Sequence, residues 1–512
     1  MKIYFITTAI DYTNAAPHIG HAYEKILADV LARYQRLRGR IVFFLTGVDQ
    51  HGQKVQQAAE QAGISPQKFA DDVSEKFIQL WKELSISYDD WAATTDVRHS
   101  TAVQKILTHL LENDWLYKAT YQGYYSVRQE QFLTDKERGA DGEFGVEWGE
   151  VVFLEEENWY FRLSRCKEWL TQFLEKTADF VTPQFRQAEL KNAAAKVTGD
   201  LCISRPKSRL AWGIELPFDK DFVTYVWFDA LINYISFAGY NIDGDQTAGF
   251  SRLWPCDHHV IGKDIMVPAH GVYWPCMLHA MGFSDEQMPQ LLVHGFWSLR
   301  GEKVSKSTGN VVDPFALVET YGASALRYYL MRDAVMGKDA DFHEDRLLSR
   351  YHTELGNGLG NLVNRTLSMT HRYRAGSPNR VDLPEDCRAH LAADVASIKK
   401  YSEQMDASQI HAGLETMINL VYRANALVDS SAPWNLAKDS ASADRLDAIL
   451  STLLQSARIA ATLLMPVVPA AATEILKQLA LKPVSLIGEI IIPEFPEKYI
   501  AGHPSPVFPR IE

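Results

Sequence analysis

Ala15-Ala16-Pro17-His18-Ile19-Gly20-His21 separates two segments of different texture. Before it, Lys2 to Ile10 includes Ile3, Tyr4, Phe5, Ile6 and Thr7, a nearly continuous run of β-formers of the kind that suits a strand buried on both faces. After it, Tyr23, Ile26, Leu27, Val30, Leu31, Tyr34 and Leu37 recur at three- and four-residue spacing and so share one face of a helix, with Gly39 where a C-terminal cap belongs. The two histidines therefore fall on a strand-to-helix turn. Free backbone N–H groups and the helix dipole attract anions to such a turn, and open α/β sheets take their ligands beyond the carboxyl ends of their strands. Two imidazoles there can donate hydrogen bonds to a phosphate. An isolated H-x-x-H equally suits capping or core histidines, so this reading needs a partner elsewhere in the chain.

A candidate partner is Gly301-Glu302-Lys303-Val304-Ser305-Lys306-Ser307-Thr308-Gly309-Asn310, which follows the apolar run Leu291 to Leu299. Two lysines with serines and flanking glycines suit a phosphate-binding loop, although alone they also describe a solvated turn. The 512 residues allow two to four domains, and 46% hydrophobic with 23% charged residues is the balance of a globular protein with substantial cores. No window approaches about 18 uninterrupted apolar residues, and the start runs into the first strand without a charged and apolar leader, so a cytoplasmic protein is expected. Cys166, Cys202, Cys256, Cys276 and Cys387 are scattered with no C-x-x-C pair, which suggests neither a disulfide framework nor a cysteine zinc site. The net charge of −12 argues against indiscriminate nucleic-acid binding and permits a local face for one particular RNA.

Along the chain, Ile41 to Leu45 leads into Thr46-Gly47-Val48-Asp49-Gln50-His51-Gly52 and a helical Lys54 to Ala62, repeating the plan of strand, polar loop and helix. Ser74 to Leu84 and Thr101 to Trp115 carry helical spacing, with Asp90 to Thr95 read as a polar connection. From Tyr117 to Phe161, short alternating pieces rich in tyrosine, glycine and glutamate suit a small β-rich insertion. Val223 to Ala238 is helical after its start, and His258 to Ile261 is a strand ending in Gly262-Lys263-Asp264. Beyond Asp345 the pattern is almost wholly helical: Leu347 to Asn364, Ala389 to Met405, Gln409 to Asp429 and Ala443 to Leu464 suit a bundle. The tail from Lys482 is proline-rich, with Ile490 to Ile492 as a possible short strand.

The histidine turn and the lysine loop resemble the paired signatures of class I aminoacyl-tRNA synthetases. The likeness is closest to the methionyl-tRNA synthetase family, through Ile10-Asp11-Tyr12-Thr13-Asn14, Phe44 to Gly52, Ser204-Arg205-Pro206-Lys207-Ser208-Arg209, Tyr225-Val226-Trp227-Phe228-Asp229-Ala230, Ile261-Gly262-Lys263-Asp264 and Ala432-Pro433-Trp434. Valine stands in the lysine loop where methionine is commoner, which spares the charges. The resemblance implies a Rossmann-like parallel-sheet catalytic domain in two halves, 1–116 and 201–344, around a connective β-rich insertion, 117–200. A helical anticodon-binding domain, 345–481, and a tail, 482–512, would follow.

The same resemblance implies formation of methionyl-adenylate from methionine and ATP with Mg2+, then transfer to tRNA(Met). His18 and His21 would steady the α- and β-phosphate region and Lys303 and Lys306 the departing pyrophosphate, with Gly20, Gly262, Asp264 and Ser305 completing the ATP site. Asp49 would hold the methionine ammonium. Ile10, Tyr12, Trp227, Ala230, Leu231, Tyr234, Ile265 and His270 would form the thioether slot, although Trp227 and Tyr234 at i and i+7 also suit core packing. Asp264 to His270 is one residue longer than the usual family spacing.

Asn361, Arg365 and Trp434 match the family's positions for reading a CAU anticodon, while Trp434 could also plug an interhelical gap and Arg365 could lie on a solvated face. The stretch Tyr125-Ser126-Val127-Arg128-Gln129-Glu130 has Ser126 and Gln129 where many relatives carry a zinc-binding cysteine pair, so no zinc is expected. No appended module follows Glu512, so a monomer without a membrane partner is expected. Other superfamily adenylyltransferases and a tRNA-binding pseudoenzyme are the rival readings.

Overall fold

The computed structural model describes residues 2–126, 131–133, 135–139, 141–197, 199–244, 249–299, 302–303, 312–487, 494–496 and 498–511. The chain opens with β1 (Tyr4–Thr8), every residue of which is buried, and α1 (Ile19–Leu37). Then come β2 (Val42–Asp49), β3 (Asp90–Ala93), β4 (Val181–Thr182), β5 (His258–Gly262) and β6 (Leu291–His294). With the two-residue strand Asp11–Tyr12 these form a seven-stranded sheet in which every pairing is parallel. β1 lies between β2 and β5, so the chain leaves it to one side for β2 and returns on its other side with β5. The crevice at the carboxyl end of β1 is therefore the topological switch point, where open parallel sheets bind ligands.

Asp90 to Thr95 corrects the sequence reading. Its first four residues form β3, paired with β2 from Leu45↔Asp90 to Val48↔Ala93. Four residues with a single buried side chain carry too little alternation to be read as a strand; the partner's backbone defines them. β4 lies in the stretch read as the insertion, yet it pairs with β6 at the sheet edge. The β-rich insertion is built on Leu116–Ser126 and Val151–Phe161, antiparallel over their full lengths. Ser126 donates its hydroxyl to the Trp148 carbonyl at 2.5 Å, and Gln129 lies outside the described residues.

The helical region comprises Glu344–Arg374 as one passage, Glu385–Asp406, Ile410–Ser431, Ala443–Leu464 and Pro469–Leu479, the last unread from sequence. It packs directly on α1. Arg38 pairs with Asp406 at 2.6 Å, and the buried Arg327 donates to Asp29 on α1 (2.6 Å) and to the carbonyls of Leu84 (2.9 Å) and Val467 (2.7 Å). One buried cluster accordingly runs from Ile26 and Leu27 to Leu414 and Leu463. The tail is pinned by the Tyr499 hydroxyl, which donates to the Leu479 carbonyl at 2.8 Å; Ile490 to Ile492 lie outside the described residues.

Candidate active site

His18 is the N-cap of α1, in extended conformation (φ −133°, ψ 175°). The Gly20 N–H donates to its Nδ1 and the His18 N–H donates to Nδ1 of His21, both at 3.1 Å, which closes a reciprocal cap on the first turn. Because both Nδ1 atoms accept, each neutral ring carries its proton on Nε2, so both imidazoles are set as Nε2–H donors. The rings stack with centroids 3.8 Å apart, and His21 meets the edge of Phe77. A Cβ on Gly20 would lie 2.9 Å from Cε1 of His18, so glycine preserves the stack.

These residues line a cavity of about 410 Å³ that also includes Gly262 and Asp264. The five residues expected at the nucleotide whose side chains are described therefore share one space. Its floor carries a buried chain of charges that sequence reasoning missed. Lys25 Nζ reaches Asp11 Oδ1 (2.7 Å), Glu24 Oε1 (2.7 Å) and the Ala9 carbonyl (2.9 Å), and Glu24 Oε2 faces His294 Nε2 at 3.0 Å. His294 Nδ1 in turn faces the Gly295 carbonyl at 2.8 Å. Burial pushes the Asp11 carboxyl up to about 7 against the opposing pull of Lys25. For Glu24, burial is outweighed by Lys25 and His294 and the carboxyl is held low; for Lys25, burial is outweighed by its two carboxylates. In the lysine loop, Lys303 belongs to a short strand against Trp297–Leu299, its side chain lies outside the described residues, and so do Ser305 and Lys306.

A second cavity, about 290 Å³, shares Ala9, Ile10, Tyr12 and Ile265 with the first. All nine residues expected at methionine line it: Ile10, Tyr12, Asp49, Trp227, Ala230, Leu231, Tyr234, Ile265 and His270. Asp49 ends β2, and the Thr13 N–H and hydroxyl both donate to its carbonyl at 3.0 Å, tying the loop after Asp11–Tyr12 to the strand. Gly52 sits at φ 111° with its Cα face against Tyr12, whose hydroxyl oxygen would lie 2.4 Å from an added Cβ. Trp227, Ala230, Leu231 and Tyr234 project from one helix, α2 (Val226–Ser236). The backbone leaves helical geometry at Val267 (φ −117°, ψ 126°), and this kink brings Ile265 and His270 to one wall despite the longer spacing.

His270 Nδ1 donates to the Ile265 carbonyl (2.9 Å), so its Nε2 accepts from the Tyr234 hydroxyl (2.9 Å). Burial pushes His270 down to about 4 and Tyr234 well above its ordinary range. The slot is thus apolar and aromatic, with Asp49 as the one carboxylate among its described lining residues. Ala9, Lys54, Tyr225 and Val226 also line it and were given no site role from the sequence, although Tyr225 and Val226 fall in a quoted motif; Lys54 had only helical spacing to mark it.

Outside the lining of both cavities, Asn361 and Arg365 stand one turn apart on Asn361–Arg374, and the Arg365 guanidinium lies 6.0 Å from the Trp434 ring centroid. Trp434 is 39% exposed, so it does not plug a gap, and Arg365 pairs with Asp429 at 2.7 Å. The structure therefore gathers Arg365 and Trp434 on one accessible surface.

The family profile described as "tRNA synthetases class I (M)" matches residues 4–143 and 146–367, and the one described as "Anticodon binding domain of methionyl tRNA ligase" matches 381–490. The chain belongs to the methionyl class I tRNA synthetases. A methionine–tRNA ligase of Rickettsia conorii is 38% identical over 99% of both chains, and one of Deinococcus radiodurans is 40% identical over 93% of this chain and 70% of that protein. Among solved structures, Mycobacterium tuberculosis methionyl-tRNA synthetase in complex with methionyl-adenylate is 38% identical over the whole of both chains with a TM-score of 0.92. Its ligand-free form aligns with a TM-score of 0.85. Among the described residues, no helix is long and apolar enough to cross a membrane, and no three His, Cys, Asp or Glu side chains are grouped to hold a metal ion.

Proposed function

We propose that this chain activates methionine with ATP and transfers the methionyl group to tRNA(Met), reading the CAU anticodon with its helical domain. The observation that carries this is the pair of cavities at the β1 switch point, one apolar with a single acid and one lined by the histidine turn, joined through Ala9, Ile10, Tyr12 and Ile265. Asp49 holds the ammonium and the aromatic slot takes the thioether, where sulfur packs well against ring edges. The methionine carboxylate oxygen then bonds to the α-phosphorus as the bond from that phosphorus to the pyrophosphate oxygen breaks. The carboxylate is already ionised, so no general base is required.

Catalysis comes from in-line positioning and from neutralising charge on the phosphate oxygens. The Nε2–H groups of His18 and His21 serve the α- and β-phosphates, with Gly20 allowing close backbone approach and Gly262 and Asp264 holding the nucleotide from the other wall. Lys303, Ser305 and Lys306 attend the leaving pyrophosphate, and Mg2+ enters with the phosphates of ATP as part of the substrate. In the second step the adenylate's acyl group passes to the terminal ribose hydroxyl of the tRNA and AMP leaves. Arg365 and Trp434, with Asn361, offer the cationic and aromatic faces that splayed anticodon bases require. We read the protein as a cytoplasmic monomer without zinc.

His21→Ala tests the phosphate role. Losing one such donor lowers turnover by about a hundred- to a thousandfold, so methionine-dependent ATP–pyrophosphate exchange collapses in a folded protein. Unchanged exchange would remove His21 from the mechanism.

A further inference from the structure

The apolar cavity has one feature that an uncharged thioether does not explain. Lys54 lines it alongside Asp49, and these two are the only formally charged side chains among its described lining residues, His270 being kept neutral by burial. Lys54 makes no hydrogen bond or ion pair among the described residues. Lys25, by contrast, is locked on two carboxylates, and Lys263, beside the nucleotide cavity, pairs with Asp339 at 2.6 Å. Lys54 stands in the first turn of the helix Gln53–Ala62, whose N-terminus carries no side-chain cap. That N-terminus abuts the Tyr12 wall through Gly52. An uncapped ten-residue helix adds the positive end of its dipole to the same side of the cavity as the ammonium.

One anion and one cation on apolar walls form the electrostatic complement of an α-amino acid zwitterion. With the ammonium at Asp49 and the side chain in the slot, the substrate carboxylate must lie toward the wall shared with the nucleotide cavity. We propose that Lys54 holds the carboxylate of the bound amino acid, so that the cavity selects the zwitterion and not merely a thioether amine. This rests on the methionine-activating function proposed above. Lys54 would hold one carboxylate oxygen while the other is presented to the α-phosphorus; it keeps its proton throughout and adds no chemical step.

The test compares methionine with methioninol, which retains the thioether and the ammonium and lacks the carboxylate. Equilibrium binding of each is followed by tryptophan fluorescence, since Trp227 lines the cavity. Lys54 is exposed, so a charge-assisted hydrogen bond from it predicts that Lys54→Met weakens methionine by about three- to fivefold and leaves methioninol and ATP unchanged. Lys54→Arg should recover most of the loss. Equal weakening of methionine and methioninol, or no change in either, would overturn the assignment. Failure of the unsubstituted chain to bind methionine would instead overturn the functional reading beneath it.

Discussion

Lys25→Met removes the cation from between Asp11 and Glu24 and replaces it with an unbranched side chain of similar length. In the intact protein the ammonium is fully buried and makes three short contacts, to two carboxylates and to the carbonyl of Ala9, a residue that lines both cavities. Breaking a buried ion pair by removing one partner costs about 3–5 kcal/mol. Glu24 keeps His294 at 3.0 Å. Asp11 has no second partner for Oδ2 and relieves its charge by taking up a proton, each unit of pKa being worth about 1.4 kcal/mol.

The loss should therefore approach about 3 kcal/mol at pH 8, where the substituted chain must hold that proton about one pH unit above 7, and fall toward about 1.5 kcal/mol at pH 5.5, where Asp11 is protonated in both chains. The sign follows from linkage. Asp11 titrates higher folded than unfolded, and removing Lys25, which pulls it down, raises it further, so above pH 7 the substituted chain goes on losing stability where the intact chain has levelled off. Urea unfolding followed by tryptophan fluorescence at the two pH values measures the difference, and Asp11→Asn should rescue Lys25→Met at pH 8. A cost below about 1 kcal/mol at pH 8, or one independent of pH, would refute the reasoning.

Tyr234→Phe leaves Nε2 of the buried His270 without its donor, a penalty of about 1–3 kcal/mol. Methionine KM in the exchange assay should rise by about tenfold or more while ATP KM holds. Tyr12→Ala should likewise raise methionine KM far more than ATP KM, and an equal effect on both would count against the slot. Trp434→Ala should cripple charging of tRNA and spare pyrophosphate exchange, because Trp434 lies in the helical region and lines neither cavity. Metal analysis of the purified protein should find no stoichiometric zinc; one zinc per chain would contradict the reading of Ser126 and Gln129.

The strand, turn and helix around His18 and His21 were legible because three physical signals coincide there: a doubly buried apolar run, a 3.6-residue period and a terminal glycine. The bundle was legible from period alone, except for Pro469–Leu479, eleven residues opening on a proline after a short break. The residues drawn to one slot by family resemblance share one cavity, because four of them project from a single helix. What stayed hidden depends on partners distant in sequence. Glu24 and Lys25 look like the polar face of α1, yet both are buried, because α1 is covered by the sheet on one side and by the bundle on another. Asp11, Glu24 and His294 become one chain only when the strand Asp11–Tyr12, α1 and the end of β6 meet. β3 is a strand by virtue of β2, and Lys54 matters through what it faces across a cavity.

The most direct test of the central claim is methionine-dependent charging of two transcripts that differ only in the anticodon. The account predicts that the protein forms methionyl-tRNA with the CAU transcript, releases pyrophosphate in step with methionine consumed, and charges an anticodon-swapped transcript at least about a hundredfold less efficiently, the discrimination expected from losing two or three base contacts of about 1–3 kcal/mol each. Pyrophosphate exchange with another amino acid in place of methionine, or equal charging of both transcripts, would contradict it.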